Sequence, residues 1–206
     1  TDIFTSTGTN AYTTDWTVDF NGLQSGFNYV SVRVWDIAGT TTTVNDVFYI
    51  KKDTTAPVVI DNQEGDDTWR NGGGTTYDID FSDDGSLLSC LQYTIWTSTN
   101  QTGIQIKGWT DIAVNVNASS YTTDWQIDFT ACEEGFNYVS VRVWDIAGTT
   151  TTINDVFYVK KDTTPPTIIK NASWDESEVF TSDPGAIFDI DFNDTGNSNL
   201  DYAQYI

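Results

Sequence analysis

The sequence contains no histidine and no methionine, and only two cysteines and nine basic residues stand among its 206 positions. Without histidine there is no imidazole for a Ser-His relay, for general acid–base work near neutral pH, or for a histidine-bound metal. Neither a nucleophile elbow, nor a phosphate-binding glycine loop, nor EF-hand spacing occurs. A pair of carboxylates hydrolyses sugars without histidine, but near-identical copies of one stretch with no cleft-forming insertion point away from an enzyme. The shortage of lysine and arginine against 30 acidic residues leaves a net charge of −21. Such a chain repels nucleic acid and anionic membranes and attracts cations. No apolar run approaches the roughly 18 residues of a membrane span, so no membrane insertion is expected. The opening residues, TDIFTSTGTN, have neither the basic start nor the apolar stretch of a signal peptide, which suggests an internal piece of a longer chain. The two cysteines, Cys90 and Cys132, do not form a shared disulfide framework, because a second copy of the surrounding sequence has Leu23 in place of Cys132. Strand geometry sets the two thiols at opposite poles of a domain, too far apart to bond, and a packed free thiol is expected at Cys132.

What the sequence does have is repetition. The stretch GFNYVSVRVWDIAGTTTT at Gly26–Thr43 recurs without change at Gly135–Thr152, and residues 12–57 match residues 121–166 at 36 of 46 positions. The period of 109 residues is that of a small domain, longer than the roughly 20–50 residues of solenoid repeats. Residues 57–165 read as one complete repeat. Residues 1–56 read as the back half of another, and residues 166–206 as the front half of a third, since FDIDFNDTG answers YDIDFSDDG. The two outer pieces together are nearly one repeat long. Two accounts of them stay open: a fragment cut without regard to the domain frame, or a chain whose tail completes the head of the next in a filament.

Within each repeat the apolar residues alternate at the period of a half-buried strand. Trp16, Val18 and Phe20 (with Trp125, Ile127 and Phe129) form one such set. Val30, Val32 and Val34 (with Val139, Val141 and Val143) form the second, and Tyr77, Ile79 and Phe81 a third. The stretch DNQEGDDTWRNGGG reads as loop. Seven short strands with turns between them, and no helical period, predict an all-β fold of tandem β-sandwiches. Asp78, Asp80 and Asp128 are expected to face outward as an acidic surface. The abundance of Thr, Ser, Asn, Asp and Gly suits secreted β repeats. The sequons at Asn100, Asn117, Asn171 and Asn193 are read as chance in so Thr- and Ser-rich a chain.

The motif VSVRVWDIAGTTTT, with the boundaries KKDTTAP and KKDTTPP, resembles the bacterial immunoglobulin-like tandem repeats of large cell-surface and adhesin-type proteins. Fibronectin type III is a second resemblance: Leu23, Gly26 and Tyr29 fit its E–F corner, while Val30, Val32 and Val34 fall one residue out of its phase. The first resemblance implies an extracellular stalk or spacer whose partners are neighbouring repeats, often with calcium between domains. In a sandwich of this strand order the turns after strands B and F share one pole, where the preceding linker also arrives. That brings together Asp83, Asp84, Asp145 and Asp53 as candidate Ca2+ ligands, with Asp162 and Asp194 beginning the equivalent site one repeat on and Asp36 the strand F aspartate of the first repeat. Calcium takes about six to eight oxygen ligands of this kind. The other reading has the same aspartates cap turns through their own hydrogen bonds. Trp35 and Trp144 fall on the outward phase near Arg33 and Arg142, and a glycan or cell-surface ligand stacked on them is the alternative to the spacer reading, beside the self-assembling filament. Trp16 and Trp125 fall on the core phase.

Overall fold

The computed structural model describes residues 1–5, 8–63, 67–171 and 189–206. Trp174 and Phe188, the latter part of the third-repeat match, lie outside the described residues. The chain divides into two compact units, Thr1–Thr54 and Thr55–Ile206. Both are all-β, and among the described residues no helix is long and apolar enough to cross a membrane.

The first unit is built on one antiparallel hairpin of β1 (Gly26–Trp35) and β2 (Thr41–Lys52), with a register shift between Val30 and Val32. Among the described residues the second unit contains ten strands. β3 (Val58–Asp61), β5 (Ile79–Ser82) and β8 (Ser120–Tyr121) make a three-stranded sheet. β4 (Trp69–Arg70), β6 (Leu88–Trp96), β7 (Gln105–Val114), β9 (Gly135–Asp145) and β10 (Thr150–Lys161) make a five-stranded sheet in the order β4-β10-β9-β6-β7. A two-stranded sheet of β11 (Thr167–Lys170) and β12 (Ile190–Asn193) follows.

One core joins the two larger sheets. Val139, Val141 and Val143 alternate on β9, as the valine phase requires, and are fully buried. They meet Ile79 and Phe81 of β5 and Leu91 and Ile95 of β6 in a single cluster. Tyr77 stacks on Phe157 with ring centroids 4.3 Å apart, and Trp125, buried as its phase predicts, closes the cluster at 5.9 Å from Phe157. Both cysteines are free, and burial pushes the Cys132 thiol up to about 11. As a packed thiol it has little thiolate at neutral pH.

Two expectations fail. The alternation around Trp16 and Trp125 does not make a strand. In the second unit, Tyr77 and Trp125 form one isolated bridge, and the chain then tightens into a 3-10 turn at Phe129–Ala131. The Asp128 side chain accepts from the Thr130 hydroxyl at 2.6 Å and the Ala131 amide at 3.4 Å, giving the backbone a local alternative to the ladder. The first unit does the same at Phe20–Gly22, with Asp19 accepting from the Asn21 amide at 3.2 Å. The stretch read as loop is interrupted by β4, which pairs in parallel with β10 at Lys160 and Lys161.

The β9–β10 hairpin is locked by side chains at three levels. At its foot Asn137, fully buried, donates to the carbonyls of Glu133 (2.8 Å), Gly135 (3.1 Å) and Val159 (3.4 Å) and accepts from the Glu133 amide (2.9 Å). At its middle the Asp155 amide donates to the Ser140 hydroxyl at 3.1 Å, where Asp155 takes a positive φ of 53° and the register shifts. At its turn Asp145 accepts from the amides of Gly148 (2.6 Å) and Thr149 (2.8 Å), and Gly148 supplies the left-handed φ of 95°. Replacing Asn137 by Ala strands several buried backbone groups. It is expected to cost about 2–3 kcal/mol, read by denaturant unfolding, with the slope of the transition unchanged.

Candidate functional site

The loop between β5 and β6 and the turn between β9 and β10 meet at one pole of the second unit. They are stitched by two hydrogen bonds: the Ile146 amide donates to Leu87 O at 2.9 Å, and the Ala147 amide to the Ser86 hydroxyl at 3.0 Å. Asp83 and Asp145 stand in these two loops, each 2% exposed, and an oxygen of one lies within 4.8 Å of an oxygen of the other. Each carboxylate first shapes its own loop. Asp145 holds the turn as described and also accepts from the Thr149 hydroxyl. Asp83 Oδ2 accepts from the amides of Gly85 (3.2 Å) and Leu87 (2.7 Å), and Leu87 adopts a positive φ of 79° that a leucine rarely takes.

Asp83 Oδ1 is different. It is buried and, among the described residues, has no hydrogen-bond partner. A buried carboxylate oxygen without a donor is costly, and a second carboxylate within 4.8 Å adds repulsion on the order of 3–4 kcal/mol at an effective dielectric near 20. The arrangement of hard oxygens suits a cation such as calcium. The linker passes the same pole, since the Thr149 hydroxyl donates to Thr55 O at 2.9 Å and the Thr151 hydroxyl to Pro57 O at 2.5 Å.

A related arrangement recurs further along the second unit. Asp194, the counterpart of Asp83, accepts from the Gly196 amide at 3.0 Å, and Asn199 takes a positive φ of 64° as Leu87 does. Asp162 enters this loop from the preceding linker. Its carboxylate accepts from the Ser198 amide at 2.7 Å and the Thr164 amide at 3.0 Å, and a side chain at Gly196 would overlap it. Bonds from Ser198, side chain and backbone, hold the Asp162 carboxyl below its ordinary range. The structure thus brings Asp83 to Asp145, and Asp162 to the loop that Asp194 begins. Asp84 is exposed to solvent. Asp36 caps its own turn, accepting from the Thr40 amide at 2.9 Å and hydroxyl at 2.5 Å, and Asp53 is half-buried at the end of the first unit. Both readings of the aspartates therefore have a place here: Asp36 and Asp145 cap turns, while Asp83 keeps an oxygen free.

The tryptophans singled out by phase carry arginines. Arg33 lies over Trp35 at 4.3 Å, and Trp35 is exposed. Arg142 lies between Trp109 at 4.1 Å and Trp144 at 4.6 Å, with Nε and Nη2 both donating to Gln92 Oε1 at 2.9 and 2.7 Å. Gln92 is in turn fixed by Asp111 at 2.6 Å. Sequence reasoning placed Trp144 beside Arg142 but missed Gln92 and Trp109, whose strands β6 and β7 follow β9 in that order only in the folded sheet.

No protein-family profile matches the chain, and no curated protein is similar to it.

The three aspartates expected on an acidic face are held in two ways. Asn62 donates its amide to both Asp78 and Asp80 at 3.1 Å, and Asn171 spans Asp189 and Asp191 likewise. Asp128 does not join that face: its side chain pairs with Lys107 at 2.7 Å, and its amide donates to the Tyr93 hydroxyl at 3.0 Å. The Lys107 bond and the Thr130 hydroxyl hold the Asp128 carboxyl down to about 2. A carboxyl depressed in the folded state stabilises the fold above its unfolded value and loses that contribution as pH falls through the folded one. Asp128→Asn is therefore expected to be less stable than the parent near neutral pH, with the gap closing between about pH 4 and about pH 2. Thermal melting across that range checks it.

Proposed function

We propose that the chain is a non-catalytic structural segment of an extracellular surface protein, a spacer of immunoglobulin-like repeats stiffened by calcium at the pole where Asp83 and Asp145 meet. The observation that carries this reading is the buried Asp83 Oδ1 without a hydrogen-bond partner, facing a second buried carboxylate. A turn cap has both oxygens filled by donors of its own turn, as Asp36 has by the Thr40 amide and hydroxyl; a cation ligand keeps one for the ion. Two carboxylates are too few for calcium alone, and the sequence repeat supplies further acids. Asp53 is the counterpart of Asp162 in the 36-of-46 match, and Asp162 reaches the loop that begins at Asp194. The proposed mechanism is mechanical. Sheets joined by a single core resist extension, and short DTTxP linkers with a bound ion limit bending between neighbours. The alternative of a glycan laid on Trp35 or Trp144 has less in its favour, because the chain's own guanidinium groups occupy faces of both rings.

Calcium at about 100 times its dissociation constant is expected to stabilise by about 2.7 kcal/mol, raising the melting temperature by about 5–10 °C. The rise should vanish in Asp83→Asn while Asp84→Asn keeps it. No shift with calcium over chelator, or an unchanged shift in Asp83→Asn, removes the metal reading.

A further inference from the structure

Strands β2 and β10 end alike and lead into linkers of nearly the same sequence, but the residue beside each linker differs. Gly135 lies opposite Lys161 and Gly26 opposite Lys52, and both glycines take a left-handed φ, 98° and 87°. The backbone therefore presents residue 134 and its counterpart, residue 25, in the same way, next to the chain that leaves the sheet. The lysines are tied alike as well. Lys161 Nζ donates to Cys132 O at 2.6 Å, and Lys52 Nζ to Leu23 O at 2.9 Å. Glu134 then does what its counterpart does not: one carboxylate oxygen accepts from the Thr163 amide at 3.0 Å, and the other from the Thr163 hydroxyl. In the first repeat that place belongs to Ser25, a shorter side chain with one oxygen, and among the described residues no bond joins it to Thr54, the counterpart of Thr163.

We propose that Glu134 is a joint residue, whose carboxylate clasps Thr163 and so sets the stiffness of the linker that leaves residues 57–165. The Asp162 amide is already spent on Arg70 O at 3.0 Å, so Thr163 is the first position past that bond for a side chain to hold. Bonds to an ionised acceptor are the stronger kind. Because one reaches the amide and the other the hydroxyl, backbone and side chain of Thr163 are fixed together. Glu134 and Thr163 are both exposed, so the clasp directs the chain without entering the core. The proline content acts in the same direction. Pro165 and Pro166 lock φ in succession, whereas the linker after the first repeat has Ala56 before Pro57. The inference rests on the spacer reading, in which a joint matters because repeats are strung together, and it deepens that reading: stiffness is written joint by joint, at position 134 and its counterparts, and not by a bound ion alone.

Amide exchange and relaxation, measured by NMR on the full chain in the presence of a chelator, test this directly. The Thr163 amide is expected to exchange about tenfold more slowly in the parent than in Glu134→Ser, the variant that carries the residue of the first repeat. Glu134→Gln keeps an oxygen for the amide but loses the charge, and its rate should fall between the two. The order parameter of the Thr163 amide is expected near about 0.85 in the parent and below about 0.6 in Glu134→Ser. The Asp162 amide, bonded to Arg70 O, serves as the control and should not change. Equal exchange at Thr163 in the parent and Glu134→Ser, an order parameter that does not fall, or a loosening that includes the Asp162 amide overturns the proposal. With the chelator present the result does not depend on calcium at Asp83. A failed clasp therefore leaves the calcium reading standing, and an absent calcium shift leaves the clasp.

Discussion

The hydrogen bonds that Asn137 makes at the foot of the β9–β10 hairpin are the constraint on which the other features rest. A carboxamide offers two N–H donors and one carbonyl acceptor, so Asn137 reaches three carbonyls by sharing one N–H and takes one amide, and its burial removes water as a competitor. With the foot held, the strands are in register, and the register decides that Val139, Val141 and Val143 face the core while Tyr138, Arg142 and Trp144 face away. A slip of one residue would exchange those faces. The bulge fixed by Ser140 and the turn fixed by Asp145 carry the same register to the far pole.

That far pole is where the candidate site lies, and its chemistry follows from the turn. Asp145 is held by the amides of Gly148 and Thr149, so its carboxylate cannot swing away from Asp83. Asp83 is held from one side only, by the amides of Gly85 and Leu87. Two anions are thereby kept near each other by loops that owe their shape to those same anions. Strain at Leu87 fits a loop whose geometry is set by what it presents rather than by its own preference.

Much of the core was legible because period-two burial leaves a direct mark on sequence: the valine set on β9 and the Tyr77, Ile79, Phe81 set are buried in phase. The alternation around Trp125 misled for a physical reason. Asp128 suits an outward strand position and a turn cap equally well, and the local bonds to Thr130 and Ala131 decide for the cap. The pairing of β4 with β10 is non-local and leaves no periodic mark on two residues. Asp83 and Asp145 were legible as acids at loop ends, but the free oxygen on one of them depends on which amides each loop turns inward. Asn137 was hidden because its role lies in its partners' carbonyls; the signal available was its identity in both copies beside an invariant Gly-Phe pair.

The two copies also separate local from global causes. In the first unit Asn28 bonds Gln24 O at 2.7 Å and Gly26 O at 3.0 Å, the Asp46 amide donates to Ser31 at 3.1 Å, and Asp36 holds the turn through Thr40. All three locks of β9–β10 are thus present in β1–β2, where Val34 and Phe48 are uncovered. The hairpin's shape therefore does not depend on the core packed against it. An isolated two-stranded hairpin is marginal in water, and these locks, at about 1 kcal/mol for each bond, are what offsets that cost within the hairpin. The identity of eighteen residues across the two copies then has a cause that buried valines alone do not provide: Asn28, Ser31, Asp36 and Thr40 in that stretch are the locks themselves, as Asn137, Ser140, Asp145 and Thr149 are in the second copy.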